Sequence, residues 1–134
     1  MLKRLNHIAI AVPNLDTAIK NYKNAFDANV SSKQELTSHG VTTAFVKLEN
    51  TNIELLEPLG KSSPIANFLI KNPVGSIHHL CYEVIDLKQS IFSLQDKGYS
   101  VLGNGIPRRG AHDKPVIFLH PKEFNGTLIE LEET

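Results

Sequence analysis

One eight-residue pattern occurs twice in the chain, and that repeat limits the possible folds more than any other feature. Leu5-Asn6-His7-Ile8-Ala9-Ile10-Ala11-Val12 and Ile77-His78-His79-Leu80-Cys81-Tyr82-Glu83-Val84 both read apolar-x-His-apolar-small-apolar-x-Val. His79 follows His7 by 72 residues, and the same offset sets Asp86 over Asn14, Leu87 over Leu15 and Ile91 over Ile19. A second pair closes each copy. Asn52-Ile53-Glu54-Leu55-Leu56-Glu57 is matched by Leu128-Ile129-Glu130-Leu131-Glu132-Glu133, with Glu130 standing 76 residues after Glu54. Each half begins with a histidine on one strand-like stretch and ends with a glutamate on another. The chain is a duplicated module, and both copies must obey one plan.

The local signals give that plan. Residues 4–12 alternate as a half-buried strand does, with His7, Ala9 and Ala11 on one face and Ile8, Ile10 and Val12 on the other. Pro13 ends the strand, and Asn14 or Asp16 caps a helix whose apolar positions are Leu15, Ala18, Ile19, Tyr22 and Phe26. An outer strand is expected over 30–34, a turn over 37–40 and a β-branched strand over 41–48. Residues 49–52 then turn into the strand of Glu54. The first module, about 4–57, therefore reads β-α-β-β-β. Residues 58–76 are the linker, with a short helix capped by Ser63 and carrying Pro64 at its first position.

The second module, about 77–134, repeats the order: strand 77–84, a helix capped by Asp86 that ends at Lys97-Gly98, and a short strand 99–102. A Gly-rich and basic loop over 103–114 follows, then strand 115–120, a turn over 121–126 and the strand of Glu130. At 134 residues the two modules form one domain.

Composition removes several function classes. Fourteen basic and fourteen acidic residues balance, so no charge excess draws nucleic acid or an anionic membrane. A single cysteine, Cys81, permits no intrachain disulfide. The chain has no apolar run long enough to span a bilayer, and its basic start leads into an alternating strand and not a signal-peptide core. The expected setting is cytoplasmic, or an organelle matrix in a eukaryote.

Two histidines and two glutamates at equivalent places in two copies suit one ion shared between the copies. Imidazole with carboxylate favours a borderline divalent metal such as Co, Mn, Ni, Zn or Fe. Ala9 and Cys81, at equivalent positions, leave room beside the histidines. Cys81 reads as a small apolar filler in the wall of the site. His78 points away from His79, and His39 belongs to a turn. His120 either orders the turn at Pro121 or lines the substrate site. In the loop, Arg108, Arg109 and Lys114 are candidate clamps for an anionic substrate, since guanidinium and ammonium groups favour phosphate and carboxylate.

The paired β-α-β-β-β modules resemble the vicinal oxygen chelate superfamily, which includes glyoxalase I, extradiol dioxygenases and bleomycin-resistance proteins. Within it, HIAIAVPNLDTAIKNY, HGVTTAFV, NIELLEPLGKSSPIANFL, IHHLCYEV and above all GAHDKPVIFLHPKEFNGTLIELEE are similar to the methylmalonyl-CoA epimerase family. That resemblance implies an α+β fold of two tandem βαβββ modules forming a metal-centred curved sheet. It implies one divalent metal held by His7, Glu54, His79 and Glu130, an acyl-CoA thioester substrate, and epimerisation at C2 of methylmalonyl-CoA through an enolate. A homodimer is the superfamily habit.

The sequence departs from the family at one catalytic position. Some members carry Gln in place of Glu54 and a separate catalytic Glu where Thr43 stands here, and others carry Glu in place of Ser38. The expectation is therefore that Glu54 and Glu130 supply the two catalytic bases. The competing readings are a glyoxalase I-type isomerase acting on a thiol adduct and a non-catalytic binding protein of the same fold.

Overall fold

Strand β1 (Leu2–Ala11) is longer at its start than its alternation suggested, and it serves two units of structure. The computed structural model describes all residues, Met1–Thr134. One unit comprises His7–His78, and the other comprises Met1–Asn6 with His79–Thr134. The strand gives its second half to the former and its first half to the latter.

In the first unit β1 is followed by helix α1 (Leu15–Phe26), strands β2 (Gln34–Leu36), β3 (Val41–Lys47) and β4 (Asn52–Pro58), and helix α2 (Pro64–Lys71). The strand order is β2-β3-β4-β1. All pairings are antiparallel except β4 with β1, whose parallel register sets His7 opposite Asn52 and Ala9 opposite Glu54. The Asn14 side chain accepts from the Thr17 amide and so caps α1, while Ser63 caps α2 ahead of Pro64. Leu15, Val12, Ala44, Val46 and Leu55 pack under α1. On the other side Ala9, Ala11, Val41 and Leu56 take Ile65 of α2. Gly75 makes the turn after α2 possible. Its φ is 93°, and a Cβ there would sit 2.5 Å from the Ala11 carbonyl oxygen, so no side chain fits.

The second unit repeats the plan with β5 (Ser76–Val84), helix α3 (Leu87–Asp96), β6 (Arg108–Arg109), β7 (Pro115–Leu119) and β8 (Leu128–Glu133). Its strand order is β1-β5-β8-β7-β6, and β5 runs parallel to β8 with Cys81 opposite Glu130. Asp86 caps α3 at the Gln89 amide, the equivalent of Asn14. Val84, Leu87, Ile91, Ile117, Leu119 and Leu131 form the core.

One brace recurs in both units. Glu57 accepts a hydrogen bond from the Leu15 amide at 2.8 Å, and Glu133 accepts one from the Leu87 amide at 2.9 Å. A carboxylate on the last strand thus fastens the start of each helix, where unpaired N–H groups and the helix dipole favour negative charge.

Three expectations are corrected. The strand expected over 30–34 is a single bridge at Val30 followed by β2 further on, because the Ser31 hydroxyl accepts from the Phe45 amide and replaces a ladder carbonyl. The strand expected over 99–102 is a bridge at Val101 alone. There the Tyr99 amide bonds to the end of α3 and the Ser100 amide to Glu123. Conversely, the loop over 103–114 contains β6, paired to the start of β7.

Candidate metal centre and active site

The His–Glu pair of the first unit follows from its strand register. Parallel pairing places Ala9 beside Glu54, and His7, two residues earlier, lies on the same face as Ala9. The small Ala9 side chain leaves the space into which both functional groups turn. His7 Nε2 stands 3.6 Å from Glu54 Oε2, and the two side chains are 2% and 7% exposed. The second unit builds the same pair with Cys81 in the part of Ala9. His79 Nε2 lies 2.9 Å from Glu130 Oε2, again with both side chains buried.

Each pair has an aromatic wall. Phe45 sits opposite Glu54 across β3 and β4 and meets the His7 ring edge-on, with centroids 5.7 Å apart. Phe118 sits opposite Glu130 across β7 and β8 and meets His79 at the same separation. These edge-on rings pack against the imidazoles. Thr43, where some family members carry a base, is buried and donates its hydroxyl to the Leu55 carbonyl oxygen at 3.1 Å. It fills space and holds the strand. Each unit thus carries one buried imidazole and one buried carboxylate, donor types whose chemistry fits a borderline divalent cation.

The chain as a whole is similar to proteins of known family. A family profile described as the Glyoxalase/Bleomycin resistance protein/Dioxygenase superfamily matches residues 6–118. The ethylmalonyl-CoA/methylmalonyl-CoA epimerase of Cereibacter sphaeroides is 56% identical over 133 residues, covering 99% of each chain. The mitochondrial methylmalonyl-CoA epimerase of Homo sapiens is 51% identical over 132 residues, covering 98% of this chain and 74% of the human one. A solved methylmalonyl-CoA epimerase in complex with methylmalonyl-CoA and ammonium superposes with a TM-score of 0.92 at 31% identity, covering 100% of this chain and 96% of that one. The chain belongs to the methylmalonyl-CoA epimerase family.

The remaining candidates of this family member are less enclosed. Arg108 and Arg109 form the exposed strand β6, and Lys114 is exposed at the end of the following turn, where its carbonyl oxygen accepts from the Gly110 amide at 2.9 Å. Arg109 bonds within the loop to the Asp113 carbonyl oxygen and lies 3.5 Å from its carboxylate. His120 has the turn-ordering contact of the two readings: its Nδ1 accepts from the Lys122 amide at 3.1 Å.

Two further groups escaped the sequence reading. His112 lies among the basic residues of the loop, and its Nδ1 meets the buried Glu132 carboxylate at 3.0 Å. The signal for Glu132 was in the repeat, since the equivalent residue of the first half is Leu56.

Proposed function

We propose that the chain interconverts the R and S epimers at C2 of methylmalonyl-CoA, and that His7, Glu54, His79 and Glu130 hold one divalent ion for this reaction. The observation that carries the reading is the pair of buried His–Glu contacts at matching positions of the two units. The proton at C2 lies between a thioester carbonyl and a carboxylate, and its removal leaves negative charge on the thioester oxygen. A divalent ion, when bound, supplies positive charge for that oxygen.

The acid–base work falls to this chain's own carboxylates. Glu54 and Glu130 come from equivalent strands of the two units, so each serves one face of the planar enolate: one takes the proton and the other returns it. Phe45 and Phe118 hold the site dry enough for that exchange to stay between substrate and protein. Arg108, Arg109 and Lys114 take the phosphates of CoA. The protein works as a homodimer in the compartment that holds the acyl-CoA pool, the cytoplasm or an organelle matrix.

The test is metal content together with turnover. Protein prepared without chelator and loaded in turn with Co, Mn, Ni, Zn or Fe should bind one ion per chain and exchange C2 hydrogen of racemic methylmalonyl-CoA with solvent deuterium. Two ions per chain, or none, would reject the shared site. Turnover of a hemithioacetal without turnover of the CoA thioester would reject the substrate. In Glu54→Gln the amide oxygen can still coordinate, so metal should remain while exchange falls for one epimer by a factor on the order of 100 to 10,000. Full metal with wild-type exchange would remove Glu54 as a base.

A further inference from the structure

Asparagine is followed by glycine at two places in the chain, Asn104-Gly105 and Asn125-Gly126. Such a pair can convert itself to an acid. The backbone nitrogen of the glycine reaches the side-chain carbonyl of the asparagine, and no Cβ obstructs the approach. Both asparagines are exposed, and both glycines have positive φ, 73° at Gly105 and 80° at Gly126. Sequence and exposure therefore do not separate the two sites. Their hydrogen bonds do.

The Gly126 amide donates to the Pro121 carbonyl oxygen at 2.9 Å, and the next amide, that of Thr127, donates to the Phe124 carbonyl oxygen at 3.0 Å. The nitrogen that would attack Asn125 is thus fixed in its peptide plane. To lose its proton it must give up that bond and leave an anion facing a carbonyl oxygen. Asn125 itself is held in the left-handed conformation by the same turn, with φ 56°. The Gly105 amide, by contrast, has no acceptor in the chain, and the residue is only partly buried, so solvent base reaches its N–H. The Ile106 amide donates to Asn104 Oδ1 at 3.0 Å. That oxygen is where negative charge builds as Cγ is attacked, so a donor already aimed at it favours the reaction.

We propose that Asn104 is a site of spontaneous deamidation in the folded protein, while the turn at Gly126 protects Asn125. The Gly105 nitrogen gives its proton to solvent base and attacks Asn104 Cγ, forming a new N–C bond. The bond from Cγ to the side-chain nitrogen breaks, and that nitrogen takes a proton from water and leaves as ammonia. Water then opens the resulting succinimide at either carbonyl, which yields aspartate or isoaspartate at position 104. Fourteen basic and fourteen acidic residues balance in the chain, so each event makes it net acidic. The new carboxylate arises in the loop over 103–114, where Arg108, Arg109 and Lys114 stand against Asp113 alone.

The whole chain, incubated in mildly alkaline buffer both folded and unfolded in denaturant, provides the test, with mass mapping of the peptides around both sites over time. In the folded protein Asn104 should convert on the order of tenfold faster than Asn125, the factor expected when the slower site must first give up a hydrogen bond. In denaturant the two rates should converge, because both sites are asparagine followed by glycine. Asn104→Gln should remove the early acidic band on isoelectric focusing, since a glutamine must close a larger ring, and Asn125→Gln should leave that band in place. Asn125 keeping pace with Asn104 in the folded protein would overturn the proposal. So would a difference that persists unchanged in denaturant, or an early acidic band that survives Asn104→Gln.

Discussion

Replacing Gly110 by alanine measures how closely the basic loop is set against Glu130. The new Cβ would stand 2.8 Å from Val116 Cγ1 and 3.4 Å from Cγ2. Ordinary carbon–carbon contact is at about 3.5–4.0 Å, so the first distance lies well inside it. Val116 cannot rotate away cheaply, being 1% exposed and β-branched. Overpacking of this kind costs about 1–3 kcal/mol, against about 0.4–1 kcal/mol gained by restricting the unfolded chain. A net loss of about 1–2 kcal/mol remains, worth roughly 4–8 °C in melting temperature for a chain of this size. Val116 pairs with Glu132 across β7 and β8, so the strain falls on the ladder that carries Glu130. Thermal unfolding of wild type, Gly110→Ala, Val116→Ala and the double variant gives the answer. The double variant should be more stable than the sum of the single losses predicts, because the second change removes the methyl that collides. A Gly110→Ala protein as stable as wild type, with no coupling to Val116, would refute the close approach.

Glu57→Ala should destabilise by about 1–2 kcal/mol, the scale of a charged hydrogen bond at a helix start, and should raise hydrogen exchange at the Leu15 amide. Glu133→Ala should do the same at Leu87, and unchanged exchange at both amides would contradict the braces. Neutralising Arg108, Arg109 and Lys114 together should raise KM for the CoA substrate more than it lowers kcat, since remote phosphate contacts bind ground and transition states alike. The effect should shrink in high salt, and its absence at low salt would make the loop an ordinary solvated one. The hydrogen bond from the Ser100 amide holds the Glu123 carboxyl below its usual value of 4.5. Its contribution to stability is therefore present above that value and is lost as pH falls through the lowered one. A nuclear magnetic resonance titration with a midpoint at or above 4.5 would contradict this.

The two His–Glu pairs of the candidate site were legible in the sequence because duplication writes each constraint twice. Matching His7 to His79 and Glu54 to Glu130 required only the offsets, and the parallel registers of β1 with β4 and β5 with β8 bring each pair together as those offsets imply. The caps at Asn14, Ser63 and Asp86 were legible because each depends on chain neighbours alone. What stayed hidden depends on contacts distant in sequence. Ser31 interrupts a strand by bonding to Phe45, fourteen positions away. Phe45 and Phe118 are ordinary aromatic residues until strand pairing places them on the histidines. His112 was absorbed into a run of basic residues and Glu132 into an acidic one, and only the folded loop brings them together.

Glu54 and Glu57, like Glu130 and Glu133, stand three residues apart on one strand and so point to opposite faces. One of each pair faces a histidine, and the other fastens a helix. A strand that slid by a single residue would exchange its faces, withdrawing the carboxylate from the imidazole and the brace from the helix in the same step. Misregistration is therefore penalised on both sides of the sheet at once. The closing strand of each half acts as a proofreading element, since a chain that has paired it wrongly can neither seat its helix nor complete its His–Glu pair.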